Sequence, residues 1–228
     1  AYSIDAVNDS TIPTLRASQL KTTHIGTQFY LESAFGSGVV KTQMIGRFNV
    51  SNVLGVLGVL LMKGIAFERA ISTIEKLSSV QGRMQQLGSN GQAMVVVDYA
   101  HTPDALEKTL QALQQVAQER QGNLWCVFGC GGDRDPGKRP QMGKIAQLAQ
   151  HVVVTSDNPR TEDPEKIVQD ILAGMSGTPN AIVDRASAIL YAVKHAQSND
   201  VILIAGKGHE NYQDINGKKW PFSDEEHA

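Results

Sequence analysis

The chain has 228 residues, of which 41% are hydrophobic and 19% are charged, which is typical of a folded protein with a sizeable core. Its net charge is -2 and its isoelectric point about 6.3, so no overall basic field favours nucleic acid or an anionic membrane as a partner. The two cysteines, Cys126 and Cys130, form neither a disulfide framework nor a zinc motif, and we expect a reducing, cytoplasmic location. The longest strongly apolar run, residues 53–62, is too short to span a bilayer.

The first 80 residues contain few predicted elements. This content is small for an independent domain, and the chain opens without methionine or an obvious first element, so we expect part of a larger domain here. The stretch 78–92, rich in Ser, Gly and Gln, is expected to be a linker. Two strands and two helices are predicted before it, at 25–31, 38–44, 49–62 and 67–77.

From residue 93 onward, short β-branched runs alternate with helical patterns. Thr102, Asp163 and Asp184 are good helix-starting residues, and 139–150 supplies a fourth helix. This alternation predicts an α/β fold with a Rossmann-like, mostly parallel sheet covered on both faces. Asn216-Gly217 predicts a tight hairpin at the edge of that sheet. The predicted strands are 94–97, 124–128, 152–155, 181–183 and 201–205.

Charged and glycine-rich clusters follow four of the five predicted strands. In open α/β sheets, ligands bind beyond the carboxyl ends of the strands, so we expect these clusters to form one ligand site. The clusters read DYAH at 98–101, GCGGDRDPGKR at 129–139, SDNPR at 156–160 and GKGHE at 206–210.

The second cluster approaches two nucleotide-binding motifs without matching either. Gly137-Lys138 suits a phosphate loop, but Arg139 stands where that loop has a Ser or Thr hydroxyl, and Asp133 would repel phosphate. Arg134 occupies the third glycine position of a dinucleotide fingerprint. A phosphate loop and a Rossmann-type oxidoreductase are therefore both disfavoured.

The charged residues of these clusters suit a ligand that carries two carboxylates and two ammonium groups. Arg134 and Arg160 can bind carboxylates in a bidentate manner. Asp157 and Glu210 can accept hydrogen bonds from ammonium groups, and Asn158 can do either. On the residues alone an alternative stays open, in which Asp157-Asn158-Pro159 is only a turn and Arg160 a solvated residue.

Several strings resemble the Mur ligases of bacterial peptidoglycan synthesis. DYAHTPDAL, FGCGGDRDPGKRPQMG, DNPRTEDP and LIAGKGHENYQ are similar to that family's C-terminal domain, and GRFNVSNVLGVLGVLL to the end of its central ATPase domain. The DNPR string is typical of members that add meso-diaminopimelate. The resemblance implies that residues 1–86 are the C-terminal portion of the ATP-binding domain plus a linker, and that 87–228 form the amino-acid-binding domain.

The resemblance also implies an activity. ATP with Mg²⁺ would convert the D-glutamyl side chain of UDP-N-acetylmuramoyl-L-alanyl-D-glutamate to an acyl phosphate, which the amine of meso-diaminopimelate then attacks. The family's phosphate loop, Mg²⁺ ligands and modified lysine would precede Ala1. We therefore expect no catalytic residue or metal ligand in this chain and no activity of the chain alone. A folylpolyglutamate-type ligase is the alternative, against which DNPR and GKGHE argue.

Residue by residue, the resemblance implies two sets of contacts. Arg160 and Asn158 would read the distal carboxylate of diaminopimelate. Closure of the domains about 78–92 would complete the site. The alternatives are that Asn49 is a simple helix cap and that His101 is a structural histidine bonded to backbone. The amino-acid contacts would be Arg134, Asp157, Asn158, Arg160, Gly206 and Glu210, and the nucleotide contacts Asn49, Asn52, Arg83, Asp98 and His101.

Overall fold

The chain divides into two compact units, Ala1–Ser79 and Val80–Ala228. The computed structural model describes residues 1–5, 14–23, 26–88 and 91–228, so residue 25, the first of a predicted strand, lies outside the described residues. The units divide earlier than the expected boundary after residue 86. The reason is that strand β5 (Gln85–Leu87), within the expected linker, pairs with strand β6 (Met94–Asp98). A strand at a sheet edge can be polar because backbone hydrogen bonds hold it in place, and its composition then resembles that of a linker.

The first unit combines a four-stranded sheet with two helices. The strands lie in the order β1 (Tyr2–Ile4), β2 (Leu15–Thr23), β3 (Gly26–Ser33), β4 (Gly36–Thr42), and only β1 and β2 are parallel. The helices are α1 (Arg47–Met62) and α2 (Phe67–Ile74). Their apolar side chains form one buried core with those of the sheet, including Leu15, Phe29, Leu31, Leu57 and Ile74.

Strands β1 and β2 were not predicted from the sequence. In β2 the pairing with β3 is interrupted between Ser18 and Lys21, and Gln19 has a φ of 55°. Such a bulge breaks the alternation of buried and exposed residues on which strand prediction depends. The described part of the first unit is therefore richer in structure than we expected.

The second unit is built on a six-stranded sheet that confirms the predicted α/β class. Its order is β5-β6-β10-β7-β8-β9, and every neighbouring pair is parallel except β5 with β6. All residues of β6, β7 and β10 are buried, as expected for central strands covered on both faces. The remaining strands are β7 (Leu124–Phe128), β8 (His151–Val154), β9 (Asn180–Ala181) and β10 (Val201–Ala205).

Helices cover both faces of this sheet. α3 (Pro103–Glu119), α4 (Lys138–Ala146) and α5 (Pro164–Leu172) pack side by side. α6 (Arg185–His195) packs on the other face and contacts the short α7 (Asp224–His227). The three predicted starting residues are confirmed as N-caps: the side chains of Thr102, Asp163 and Asp184 each accept a hydrogen bond from a backbone N–H of the first turn.

The predicted hairpin is confirmed, but its predicted place at the sheet edge is wrong. β11 (Tyr212–Ile215) and β12 (Lys218–Pro221) form a separate two-stranded sheet around Asn216 and Gly217, whose φ angles are 52° and 73°. The hairpin instead pairs with the loop after β8: Arg160 N donates to Asp214 O at 2.9 Å, and Asn216 N donates to Arg160 O.

None of the helices found in the described parts of the chain is long and apolar enough to span a membrane.

Candidate functional site

A cavity of about 420 Å³ lies at the carboxyl ends of β6, β7, β8 and β10. The loops that follow these four strands line it, because parallel strands end at the same edge of a sheet. Clusters far apart in the sequence therefore meet in one place. Six lining residues are those that the sequence predicts for amino-acid binding: Arg134, Asp157, Asn158, Arg160, Gly206 and Glu210.

Asp157 supplies a buried carboxylate to the cavity. The residue is 7% exposed, and within the described residues no hydrogen bond reaches its carboxylate oxygens. Burial raises the pKa of Asp157 above the ordinary value for an aspartate; the charges of Arg185 and Lys207 oppose this rise, whereas Glu210 and Asp224 add to it. The Asp157 carboxylate could therefore accept hydrogen bonds from a cationic group of a ligand without giving up a bond to another described residue.

Gly206 lies directly against the carboxylate of Asp157. Its φ is 117°, and a β-carbon at this position would lie 2.5 Å from Asp157 Oδ2. Only glycine fits both the backbone conformation and the approach of the aspartate.

We expect Gly206→Ala to lower the free energy of unfolding by about 1–3 kcal/mol more than a control glycine, because a new methyl group collides with Asp157. The control is Gly177→Ala, where φ is 77° and nothing lies within 4 Å of the added β-carbon. Urea unfolding of the two variants measures the difference. Equal losses of stability in the two variants would show that the backbone conformation alone, and not the approach of Asp157, requires glycine at position 206.

The amide of Asn158 is held on both sides. Its Oδ1 accepts hydrogen bonds from Lys207 Nζ at 3.1 Å and from the backbone N–H of Asp214 at 2.9 Å. Its Nδ2 donates to Glu210 Oε2 at 2.8 Å. Asn158 is 3% exposed, so these bonds fix a nearly buried side chain and hold Glu210 at the cavity. One N–H of the amide and the second carboxylate oxygen of Glu210 are not used within this network.

Arg160 reaches the cavity from a strained backbone position. Its φ is 52°, and the hairpin holds its backbone N–H and C=O, as described above. Its Nη1 donates to the carbonyl of Gly132 at 2.7 Å, and a β-carbon on Gly131 would lie 2.8 Å from the same nitrogen. The glycines of the second loop thus leave room for the guanidinium, which keeps further N–H donors for a ligand.

The two arginines of the second loop differ in their surroundings. Arg134 is exposed and makes no hydrogen bond or ion pair with the residues that the structure describes. Arg139 is buried and bonded to Glu162 at 2.8 Å and to Asp170 at 2.9 Å. Arg139 therefore holds α4 to its neighbours, whereas the guanidinium of Arg134 remains available to a carboxylate.

Sequence reasoning missed two groups that support the site. Lys207 lies inside the GKGHE string, is fully buried and bonds Asn158 and Glu210. Arg185 forms a fully buried ion pair with Asp224 and donates to the carbonyls of Ser156 and Ala205. Those carbonyls directly precede Asp157 and Gly206 in the chain. No local pattern links Arg185 and Asp224, which are 39 residues apart.

The residues predicted for nucleotide binding are divided between the two units. In the first unit, Asn52 Nδ2 donates to Asn49 Oδ1 at 3.2 Å, and Asn49 Nδ2 donates to the carbonyl of Ile45. Helix α1 begins at Arg47 after the N-cap Gly46, two residues earlier than predicted. The alternative in which Asn49 is a simple helix cap is therefore wrong.

The other three predicted nucleotide residues lie in the second unit around Tyr99. The guanidinium of Arg83 lies 4.9 Å from the centre of the Tyr99 ring, and the His101 ring lies 4.6 Å from it. His101 Nδ1 is 2.8 Å from the Tyr99 carbonyl, which fits the alternative of a histidine bonded to backbone. Asp98 is buried and accepts bonds from Met84 N, Ala100 N and Thr109 Oγ1, so it joins β6 to the segments beside it.

Residues 82–208 match the family described as "Mur ligase, glutamate ligase domain", and this match covers more than half of the chain. The chain belongs to the Mur ligase family.

Two curated relatives of this Mur ligase chain carry the same name. It is 60% identical over 220 residues to the "UDP-N-acetylmuramoyl-L-alanyl-D-glutamate--2,6-diaminopimelate ligase" of Janthinobacterium sp. (strain Marseille). It is 58% identical over 217 residues to the protein of that name from Ralstonia nicotianae. These matches cover 95% and 94% of this chain but 43% and 42% of the relatives. The chain thus spans less than half the length of the curated relatives it matches.

Solved structures of related proteins share the fold. One, of a UDP-N-acetylmuramoyl-L-alanyl-D-glutamate--2,6-diaminopimelate ligase, matches with a TM-score of 0.77 and 41% identity, covering 99% of this chain and 46% of the other. The folylpolyglutamate synthase of Thermotoga maritima matches with a TM-score of 0.62 and 18% identity, covering 85% and 45%. A match at this identity shows the fold alone, and the fold by itself does not separate the two kinds of ligase that the sequence suggested.

Proposed function

We propose that this Mur ligase chain binds meso-diaminopimelate in the cavity at the carboxyl edge of its second unit. The observation that carries the proposal is the pairing of opposite charges in one cavity. Arg134 and Arg160 offer guanidinium donors, and Asp157 and Glu210 offer carboxylate acceptors. A diamino dicarboxylate has the matching groups, two carboxylates and two ammonium ions.

The neighbouring bonds support this assignment. Asp157 has no other partner for its carboxylate within the described residues, and Glu210 uses only one of its oxygens toward Asn158 and Lys207. Arg134 likewise has no partner among the described residues. The Arg160 side chain donates a hydrogen bond from Nη1 to a backbone carbonyl. The names of the relatives, which are 2,6-diaminopimelate ligases, point to the same ligand.

The proposed whole reaction is the ATP-dependent addition of this amino acid to UDP-N-acetylmuramoyl-L-alanyl-D-glutamate in the cytoplasm. ATP supplies the phosphoryl group that activates the D-glutamyl carboxylate. The residues of this chain bind the incoming amino acid by its charged ends, so that its reacting amine is oriented rather than free in water. Binding at two carboxylates and one ammonium group leaves the molecule little rotational freedom, and the other amino group must release its proton before it can attack the acyl phosphate.

ATP and Mg²⁺ belong to this proposal through the family. Among the described residues no group of three His, Cys, Asp or Glu side chains is placed to hold a metal ion, so we assign no metal ligand to them. For the nucleotide we propose the five predicted residues. One of them, Arg83, has its guanidinium 4.9 Å from the centre of the Tyr99 ring and forms no ion pair with the residues that the structure describes. The full set is Asn49, Asn52, Arg83, Asp98 and His101.

We expect calorimetric titration of the chain with meso-diaminopimelate to show saturable binding, and we expect Asp157→Asn to weaken it roughly 100-fold. The reason is that the variant removes the charge partner of an ammonium group in a buried place. Asp104→Asn, which removes an exposed carboxylate on α3, is the matched control and should bind as the unmodified chain does.

We expect Asp157→Asn to be more stable toward unfolding than the unmodified chain, although it binds meso-diaminopimelate more weakly. The pKa of Asp157 is raised in the folded state, so its ionisation above that pKa lowers the free energy of unfolding. At pH 7 we therefore expect Asp157→Asn to melt at a higher temperature than the unmodified chain.

The affinity of the unmodified chain for meso-diaminopimelate should fall as the pH is lowered through the raised pKa of Asp157. Unchanged affinity in Asp157→Asn, or no binding by the unmodified chain, would contradict the proposal.

A further inference from the structure

Lys207 is a buried charge behind Asn158 and Glu210, two residues that line the cavity, and neither the family strings nor the proposed binding of meso-diaminopimelate assigns it a role. Its exposure is 0%. Its ammonium group donates to Asn158 Oδ1 at 3.1 Å and to Glu210 Oε2 at 3.3 Å, and it lies 5.4 Å from the centre of the Tyr212 ring. A buried lysine with its charge satisfied in this way is costly to maintain, so its position calls for a reason.

The partners of Asn158 determine which way its amide faces. A lysine ammonium and a backbone N–H can only donate, and both point at the same atom, Oδ1. The opposite atom faces Glu210 Oε2, which accepts hydrogen bonds when the carboxyl is ionised. Three partners of fixed polarity therefore allow one orientation of the amide, and a flipped amide would place two donors against two donors.

We propose that Lys207 is a positioning residue for ligand selectivity: it holds the Asn158 amide so that an N–H, and not a carbonyl oxygen, is presented to the cavity that Arg160 also lines. An N–H attracts a ligand carboxylate, whereas an oxygen would attract an ammonium group. This inference deepens the proposed function and rests on it. Lysine and diaminopimelate differ in one distal carboxylate, so the polarity of one amide at that end favours one amino acid over the other.

The experiment compares both amino acids in Lys207→Met, which replaces the ammonium group with an apolar end of similar length. We expect the affinity for meso-diaminopimelate to fall roughly 30-fold, as for the loss of a hydrogen bond to a charged group. The affinity for L-lysine, measured by ligand-detected NMR at millimolar concentration, should change by less than about 3-fold, since lysine has no distal carboxylate. Lys144→Met, an exposed lysine on α4, is the control.

A double-mutant cycle with Asn158→Ala separates positioning from general damage. If Lys207 acts through Asn158, then Lys207→Met should have little further effect on meso-diaminopimelate once Asn158→Ala is present. Additive losses, or equal losses for both amino acids, would overturn the inference. If Lys207→Met does not fold, Lys207→Gln decides, because glutamine can accept as well as donate and so no longer enforces one orientation of the Asn158 amide: a reduced preference for meso-diaminopimelate supports the inference, and an unchanged one overturns it. An unmodified chain without any preference would instead sink the proposed function.

Discussion

L-Lysine is expected to bind this chain about 10⁴-fold more weakly than meso-diaminopimelate. Sites built to hydrogen-bond a polar group reject an analogue without that group by such factors, because their own buried groups are left unpaired. Here the unpaired group would be the guanidinium of Arg160, which is held by the hairpin and by Gly132 and so does not move away easily. Competition experiments with the two amino acids measure the ratio.

Arg160→Gln is the variant that tests which side chain carries this preference. Glutamine retains an N–H for the Gly132 carbonyl but lacks the charge and the forked donors that bind a carboxylate. We expect the preference to fall by roughly 100-fold or more, mostly through weaker binding of meso-diaminopimelate. Arg120→Gln is the matched control, since Arg120 also donates to backbone carbonyls but does not line the cavity. An unchanged ratio in Arg160→Gln would show that the distal carboxylate is read elsewhere.

Asp224→Asn is expected to destabilise the chain by about 3–5 kcal/mol, because it leaves the fully buried guanidinium of Arg185 without its ionic partner. The two hydrogen bonds between these side chains, both 2.7 Å long, are the closest contacts that Arg185 makes. For a protein of this size such a loss corresponds to a melting temperature lower by ~10 °C. Thermal unfolding followed by circular dichroism measures it.

The control for this prediction is an exposed ion pair. Asp104 pairs with Lys108 one helical turn away, at 2.8 Å but with both side chains more than 70% exposed, and Asp104→Asn should cost less than about 1 kcal/mol. Similar losses in the two variants would contradict the view that burial makes the Arg185–Asp224 pair important. A stable Asp224→Asn would show that the carbonyls of Ser156 and Ala205 suffice for Arg185.

The second unit was predicted well because its signals are local. Three helix N-caps were read from Thr102, Asp163 and Asp184, and the hairpin turn from Asn216-Gly217, each depending on neighbouring residues only. The buried strands β7 and β10 were predicted at their observed limits. In β2 and β5, by contrast, a bulge and a polar edge hide the strand, because these strands are held by backbone pairing with the strands that follow them, and their own side chains show no regular alternation.

For the candidate site, the sequence by itself determined the kinds of groups present: two arginines, two carboxylates and an amide after successive strands, in strings shared with the Mur ligases. Tertiary structure alone decided how these groups are used. Among the residues that the structure describes, it places Arg139 in ion pairs and Arg134 in none, and it buries Lys207 behind Asn158. It also joins Arg185 to Asp224 across 39 residues. The physical reason is that hydrogen-bond and ion-pair partners are chosen by proximity in space, which a one-dimensional pattern does not contain.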